Sequence, residues 1–223
     1  MVECRWAGEL WNVLPQRALW WPRRRTLCIA DMHLGKAAAY RASGIPVPES
    51  ATVADLARLD ALIRQTQAAR LVILGDLIHA RSSRVDQTMS AFAHWRAAHS
   101  AIDMLLIRGN HDAAAGDPPS DWNLRVEDEG FADPEDADVT FAHFPDHGTG
   151  YTLSGHIHPA VALDGPTQSL RAPCAWFGPR TAVLPAFGSF TGMKIIHPAP
   201  GDQVFALGDV VVDVTPQRLP ATA

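Results

Sequence analysis

The chain has 223 residues, 47% of them hydrophobic and 19% charged, with a formal net charge of −5. That balance excludes an intrinsically disordered chain and suffices for one sizeable core, so a single domain over residues 1–223 is expected. No apolar run approaches membrane-spanning length, the opening MVECRWAGELW lacks the apolar core of a signal peptide, and Cys4, Cys28 and Cys174 are too few and too widely spaced for a disulfide framework or a thiolate metal site. A reducing cytoplasm with no membrane partner is the expected setting.

Glu3–Trp21 carries apolar residues in short bursts, which predicts short strands in a hairpin with Pro15 at a turn. Arg23, Arg24 and Arg25 precede the next strand and belong at the end away from its ligands, so a solvated loop is expected there rather than a phosphate clamp. Thr26–His33, TLCIADMH, is an apolar run that ends in Asp31 and His33. The following LGKAAAYRASGIPVPES reads as a long loop, punctuated by Gly35, Pro46 and Pro48, with a helical turn at Lys36–Arg41. Lys36 and Arg41 can meet phosphate from there, although solvated surface is the commoner place for such residues. Ala51–Arg70 is a helix with Val53, Leu56, Leu59 and Ile63 at helical spacing, and it returns the chain to a parallel strand.

That strand opens LVILGDLIHA, Leu71–Ala80: a buried run closed by Gly75, with Asp76 at its carboxyl end. His79 either faces the same edge or satisfies a local backbone group. Arg81 and Arg84 lie in a loop beyond that edge, for phosphate contact or plain solvation. Val85–His99 is a second helix whose Met89, Phe92 and Trp95 form a core stripe, with His94 and His99 expected in solvent. Asp103–Asp112, DMLLIRGNHD, repeats the pattern of apolar run then polar edge, and Ala113–Pro119 reads as a loop. Glu127–Asp138, with Gly130 and Pro134, is acidic surface. Ala137–His143 ends in His143, and Tyr151–His158, YTLSGHIH, ends in His156 and His158. Thr181–Phe187 and Val204–Val214 read as strands, the second broken at Gly208-Asp209.

Strands at both ends with βα units between them predict an α/β sandwich: two packed mixed β-sheets flanked by helices. Five strand-like segments each deliver Asp, Asn or His at the carboxyl end, where open α/β sheets bind ligands. The i, i+2 spacing of Asp31 with His33, and of His156 with His158, puts each pair on one side of an extended chain. Oxygen and nitrogen donors without cysteine suit Mn, Fe, Zn or Co in a catalytic site.

The ordered set D-x-H, GD, GNHD, a lone H and GHxH, running from Asp31 to His158, resembles the five motifs of the calcineurin-like metallophosphoesterases. GDLIHARSS (Gly75–Ser83), RGNHD (Arg108–Asp112), GHIHP (Gly155–Pro159) and LPAFGSFTG (Leu184–Gly192) resemble the bacterial branch of ligase-associated DNA damage response endonucleases. The resemblance implies two divalent ions, with manganese expected and iron or zinc as alternatives. Asp31, His33 and His158 would hold one, Asn110, His143 and His156 the other, with Asp76 bridging.

By the same resemblance the activity is phosphodiester hydrolysis, with DNA as substrate in a repair setting and a DNA ligase and helicase as functional associates. Water activated between the ions would attack phosphorus, His111 would protonate the leaving group, and Asp112 would hold the His111 ring. A phosphomonoesterase for protein or a small molecule stays open as a second reading, disfavoured because LIH follows Gly75-Asp76 in place of the protein phosphatases' aspartate–arginine continuation. A non-catalytic scaffold of the same fold is the third, disfavoured because every ligand position and the acid histidine are filled. The residues leave the oligomeric state open.

Overall fold

Strands buried on both faces should be apolar at every position, and the centre of the chain has this pattern. The computed structural model describes residues 1–47, 50–132, 138–146, 150–164 and 169–216; Pro48 and Pro134, expected in loops, lie outside them. The first sheet runs in the order β1 (Val2–Trp6), β2 (Glu9–Leu14), β3 (Ala18–Trp21), β4 (Thr26–Ile29), β5 (Arg70–Leu74), β6 (Asp103–Ile107) and β7 (Arg125–Glu127). Its first four strands join antiparallel and its last four parallel. Helices α1 (Lys36–Ala42), α2 (Ala51–Thr66), α3 (Asp86–Ala98) and α4 (Asn110–Ala115) connect the parallel part.

The second sheet contains β8 (Phe131–Ala132), β9 (Val139–Phe141), β10 (Tyr151–Ser154), β11 (Pro159–Asp164), β12 (Ser169–Phe177), β13 (Thr181–Val183), β14 (Lys194–Ile195), β15 (Gln203–Leu207) and β16 (Val211–Asp213). Its order is β14-β11-β12-β13-β10-β9-β8, with β15 paired to β12 and β16 to β15. Strands β9, β10 and β13 are mutually parallel and the rest is mixed.

Alternation along the central strands divides the core in two. Leu27 and Ile29 of β4, Leu71 and Ile73 of β5, and Met104 and Leu106 of β6 face α2 and α3, where Leu59, Leu62, Phe92 and Trp95 cover them. The intervening Cys28, Val72, Leu74, Leu105 and Ile107 face the second sheet and pack with Phe141, Leu153, Phe177 and Phe205. The two mixed sheets therefore lie face to face with helices outside, as the pattern of elements predicts. The three cysteines are buried outside any disulfide, and burial pushes the Cys4 and Cys174 thiols up to about 12.

Several local readings change. Helix α2 stops at Thr66 because Gln67 takes a left-handed conformation, and the Arg25 carbonyl then receives the N–H groups of Ala69 and Arg70. Val53 is 61% exposed; in that first turn Ala51 and Asp55 face inward instead. His99 is not solvated: its Nε2 lies 3.0 Å from Asp60 Oδ1 and its ring stacks on Trp95. Ala113–Ala115, read as loop, continue α4, a helix that opens on Asn110. The Asp112 side chain supplies the reason, since its Oδ2 accepts the Gly109 N–H and caps the first turn.

Phe92 is fully buried, with its ring centroid 4.4 Å from that of Trp122 and 5.4 Å from that of Trp95. Phe92→Ala leaves a cavity that rigid neighbours cannot fill. It is expected to lower unfolding free energy by about 3–5 kcal/mol, read from urea denaturation curves of variant and parent.

Candidate metal centre

The carboxyl ends of five strands converge on one edge. Asp31 and His33 follow β4, Asp76 and His79 follow β5, Asn110 and His111 follow β6, His143 follows β9, and His156 and His158 follow β10. The ladder continues past the strands, with Asp31 N–H donating to the Gly75 carbonyl and His33 N–H to that of Asp76. The i, i+2 pairs do not lie on extended chain. Asp31, His33, Asp76, His156 and His158 all have φ between 49° and 70°, the left-handed region that non-glycine residues seldom occupy. Such conformations persist only where the surroundings over-determine them, and five together mark a functional edge.

All seven expected ligands meet there. Asp31 Oδ1 lies 3.4 Å from His158 Nε2 and 3.8 Å from His143 Nδ1. Asp76 Oδ2 lies 3.8 Å from His33 Nε2 and 3.5 Å from His143 Nε2. His143 Nε2 is 3.0 Å from both Asn110 Oδ1 and His156 Nδ1. Asp31, Asp76, His33 and His143 are buried, while Asn110 stands in solvent and His156 and His158 are half-buried, so the cluster opens on one side.

Backbone carbonyls aim the rings. His143 Nδ1 sits 3.1 Å from the Leu74 carbonyl oxygen, and His158 Nδ1 sits 3.0 Å from that of Gly192. When each Nδ1–H donates to its carbonyl, the lone pair stays on Nε2, as a metal ligand needs. The His143 backbone N–H donates to Glu129 Oε2 at 2.9 Å, and that of His156 to Asp31 Oδ2 at 2.9 Å. Glu129 escaped the sequence reading because only a run of surface acid was visible there.

His111 and Asp112 part company. The Asp112 carboxylate accepts the N–H groups of Leu77, Ile78 and Gly109, and so ties the loop after β5 to the loop after β6. The His111 ring instead places Nδ1 2.6 Å from the His79 carbonyl oxygen and Nε2 3.9 Å from Asp76 Oδ2. The expected brace on His111 is thus supplied by a carbonyl, which no side-chain motif reveals. His79 does face the edge: its Nδ1 lies 3.3 Å from His33 Nδ1 and its ring stacks on His111. Arg81 Nε donates to the Ala114 carbonyl and Arg84 Nη1 to those of Ala115, Gly116 and Asp117. Both arginines close the end of α4 rather than point at the ligands.

Electrostatics fit a cation. Burial, reinforced by Lys36 and neighbouring imidazoles, holds His33 far below the ordinary histidine range, so it is neutral and has a lone pair to give. Burial likewise lowers His156, and lowers His79 to about 4. Burial raises the Asp76 carboxyl, with Asp31 adding to the effect and His143 opposing it. Asp31 Oδ1 is buried with no hydrogen-bond partner among the described residues, an orphan acceptor ringed by imidazole nitrogens. A buried oxygen of that kind is costly unless a cation or donor meets it. The residues present therefore suit divalent metal.

The motif glycines leave room for the ligands. A Cβ on Gly75, whose φ is +82°, would lie 2.2 Å from His143 Nδ1; one on Gly109 would lie 2.3 Å from Asp76 Oδ1. Gly8 has a similar φ of +73° but open space around it. Gly75→Ala is expected to weaken metal binding about 10–100-fold, the range for disturbing a ligand's supports. Gly8→Ala, which shares only the backbone strain, should keep the parent's metal content in the same elemental analysis; equal metal in both variants would count against crowding at Gly75.

Comparison with known proteins identifies the family. The model of the calcineurin-like phosphoesterase family matches residues 24–170. The crystal structure of nuclease MPE from Pseudomonas putida is 38% identical and superposes with a TM-score of 0.83, over 96% of this chain and 99% of that one. A protein of unknown function from Aquifex aeolicus, AQ665, is 14% identical with a TM-score of 0.42, over 60% of this chain and 78% of that one. No curated protein matches by sequence. With the family's motif residues gathered at one sheet edge, the chain belongs to the calcineurin-like phosphoesterases and is a metal-dependent phosphoester hydrolase.

Proposed function

We propose that this protein is a phosphodiesterase that cuts DNA, with two divalent ions held by the seven ligands. Asp31, His33 and His158 would hold one ion, Asn110, His143 and His156 the other, and Asp76 both. The observation that carries this is the position of Asp76 Oδ2, 3.8 Å from a nitrogen of the first set and 3.5 Å from one of the second. The DNA assignment is supported by the likeness to a protein named as a nuclease over nearly the whole chain. Manganese is the metal the motif resemblance implies, with iron or zinc as alternatives that the same nitrogen-and-oxygen donor set suits. The repair setting, with a DNA ligase and helicase acting alongside, rests on the motif resemblance alone.

When bound, such ions lower the pKa of water to give a nucleophile near neutral pH and offset phosphoryl charge. The chain's own residues supply position and protons. His111 is half-buried at the open side of the cluster, and its Nδ1–H can donate to the His79 carbonyl oxygen 2.6 Å away. In the imidazolium that leaves Nε2–H to protonate the departing oxygen. Asp112 acts at one remove, by fixing the turn that carries Asn110 and His111.

Two substitutions test this. Asp76→Ala should deplete bound metal well below Asp31→Ala or His143→Ala, because it alone is shared; retention of both ions would refute the bridge. His111→Asn should keep the metal and lose on the order of 10²–10⁴-fold on DNA, the usual range for acid catalysis. It should lose far less on a nitrophenyl diester, whose leaving group needs no proton. Equal losses on the two substrates would remove His111 from the acid role, and a clear preference for monoesters in the parent would sink the diesterase reading.

A further inference from the structure

The hairpin between β2 and β3 reaches the same sheet edge as the metal centre. The antiparallel register that sets Leu19 against Cys28 and Trp21 against Thr26 carries its tip, Pro15–Arg17, to the carboxyl end of β4. There Arg17 Nη1 lies 3.5 Å from the carbonyl oxygens of Ala186 and Gly188, while Gly188 N–H donates to the Asp31 carbonyl at 3.1 Å. One residue thus stands between the Arg17 guanidinium and Asp31.

Arg58 reaches the same place from α2. Its guanidinium lies over the Phe187 ring at 4.2 Å, donates to the Phe187 carbonyl and pairs with Asp55 at 2.9 Å. Its Nε is buried with no partner among the described residues. Arg17 and Arg58, with Pro15, Gln16, Gly208 and Asp209, line a cleft of about 300 Å³.

Arg17 is the less compensated of the two guanidinia in this cleft. Asp55 is the carboxylate nearest the two guanidinia, and it is already occupied by Arg58 and by the N–H and hydroxyl of Ser189. Arg17 has no ion-pair partner among the described residues. Asp209 is exposed and lines the same cleft. Burial, then the charge of Arg58, disfavours the charged form of Arg17, and burial does the same to Arg58. Arginine does not give up its proton at neutral pH, and Asp55 offsets the cost only in part, so a further anion would be favoured here. Planar guanidinium forks match phosphate oxygens two at a time.

We propose that Arg17 and Arg58 form an anion subsite for a backbone phosphate of the nucleic-acid strand, flanking the phosphate that is cleaved. The proposal rests on the reading of the metal centre as a nuclease site. It also gives a chain with a net charge of −5 a local cationic hold on a polyanion.

The test uses the full chain, with binding measured apart from cleavage. Fluorescence anisotropy of a labelled single-stranded oligonucleotide in EDTA is expected to show Arg17→Gln binding about tenfold more weakly, with the slope of log K against log salt reduced by about 1. Arg17→Lys should keep the slope and recover part of the affinity. With Mn²⁺ added, Arg17→Gln should lose more on the oligonucleotide than on a nitrophenyl diester, through KM.

Affinity and slope unchanged in Arg17→Gln, or a parent that does not bind the oligonucleotide, overturns the subsite. So do equal losses on the two substrates, which would make Arg17 only a brace for Gly188 and Asp31. Calorimetric binding of inorganic phosphate that depends on Arg17, without Arg17-dependent oligonucleotide binding, would assign the cleft to a free anion and overturn it too. If the parent binds the oligonucleotide through Arg17 yet cleaves no DNA, the subsite stands and the nuclease reading falls.

Discussion

The carboxylate of Asp31 joins the two sheets at the edge where their strands end. It leaves β4 of the first sheet, and its Oδ2 accepts the N–H of His156, which follows β10 of the second. Its backbone carbonyl accepts Gly188 N–H and its N–H donates to Gly75, so three separate loops are registered on one residue. Its other oxygen, Oδ1, stays buried without a hydrogen-bond donor among the described residues and faces His143 and His158. Burying an acceptor that way is unfavourable in the protein alone. The fold carries that cost at the place where a cation would relieve it.

The same economy of space explains the backbone. Ligands from five strands can converge only if the chain turns sharply behind each one, and the left-handed conformations of Asp31, His33, Asp76, His156 and His158 are those turns. The glycines of the motifs stand where a neighbouring ligand has no room for another carbon: Gly75 under His143, Gly109 beside Asp76, Gly155 beside Asp31. Gly188 approaches the Met32 carbonyl so closely that an added Cβ would lie at 2.3 Å. That contact seats the segment carrying Ser189, Phe190 and Thr191 against the ligand edge. Asp55 holds it from the other side through Ser189.

Positive charge is placed around this buried acid without joining it. Lys36 lies at the start of α1, where burial lowers its pKa and Asp76 and Asp31 oppose that shift. Arg58 and Arg17 stand behind the Ala186–Gly188 segment. Arg81 and Arg84, which follow Asp76 closely in sequence, are spent on the carbonyls that end α4. Nearness along the chain therefore does not say which groups a guanidinium will meet. Arg17, from a hairpin read only as a turn, lies 3.5 Å from the carbonyls of Ala186 and Gly188.

What the sequence by itself determined was the strands that end in the candidate ligands, their apolar runs and the polar residues at their ends; β7, β8, β11, β12 and β14 were not legible in it. Periodicity and short apolar runs are local properties, and Leu71–Leu74 or Met104–Ile107 can be read without knowing their neighbours. Only the tertiary structure decided how the ends were shaped. The turned backbone at His156 and His158, the Asp112 carboxylate bonded to three backbone N–H groups, the His79 carbonyl beside His111 and the Glu129 support for His143 all depend on loops far apart in the chain. Backbone carbonyls and N–H groups are the same at every residue, so a sequence does not mark which of them will aim a catalytic ring. That choice is made when two sheets pack and their edges are brought into register.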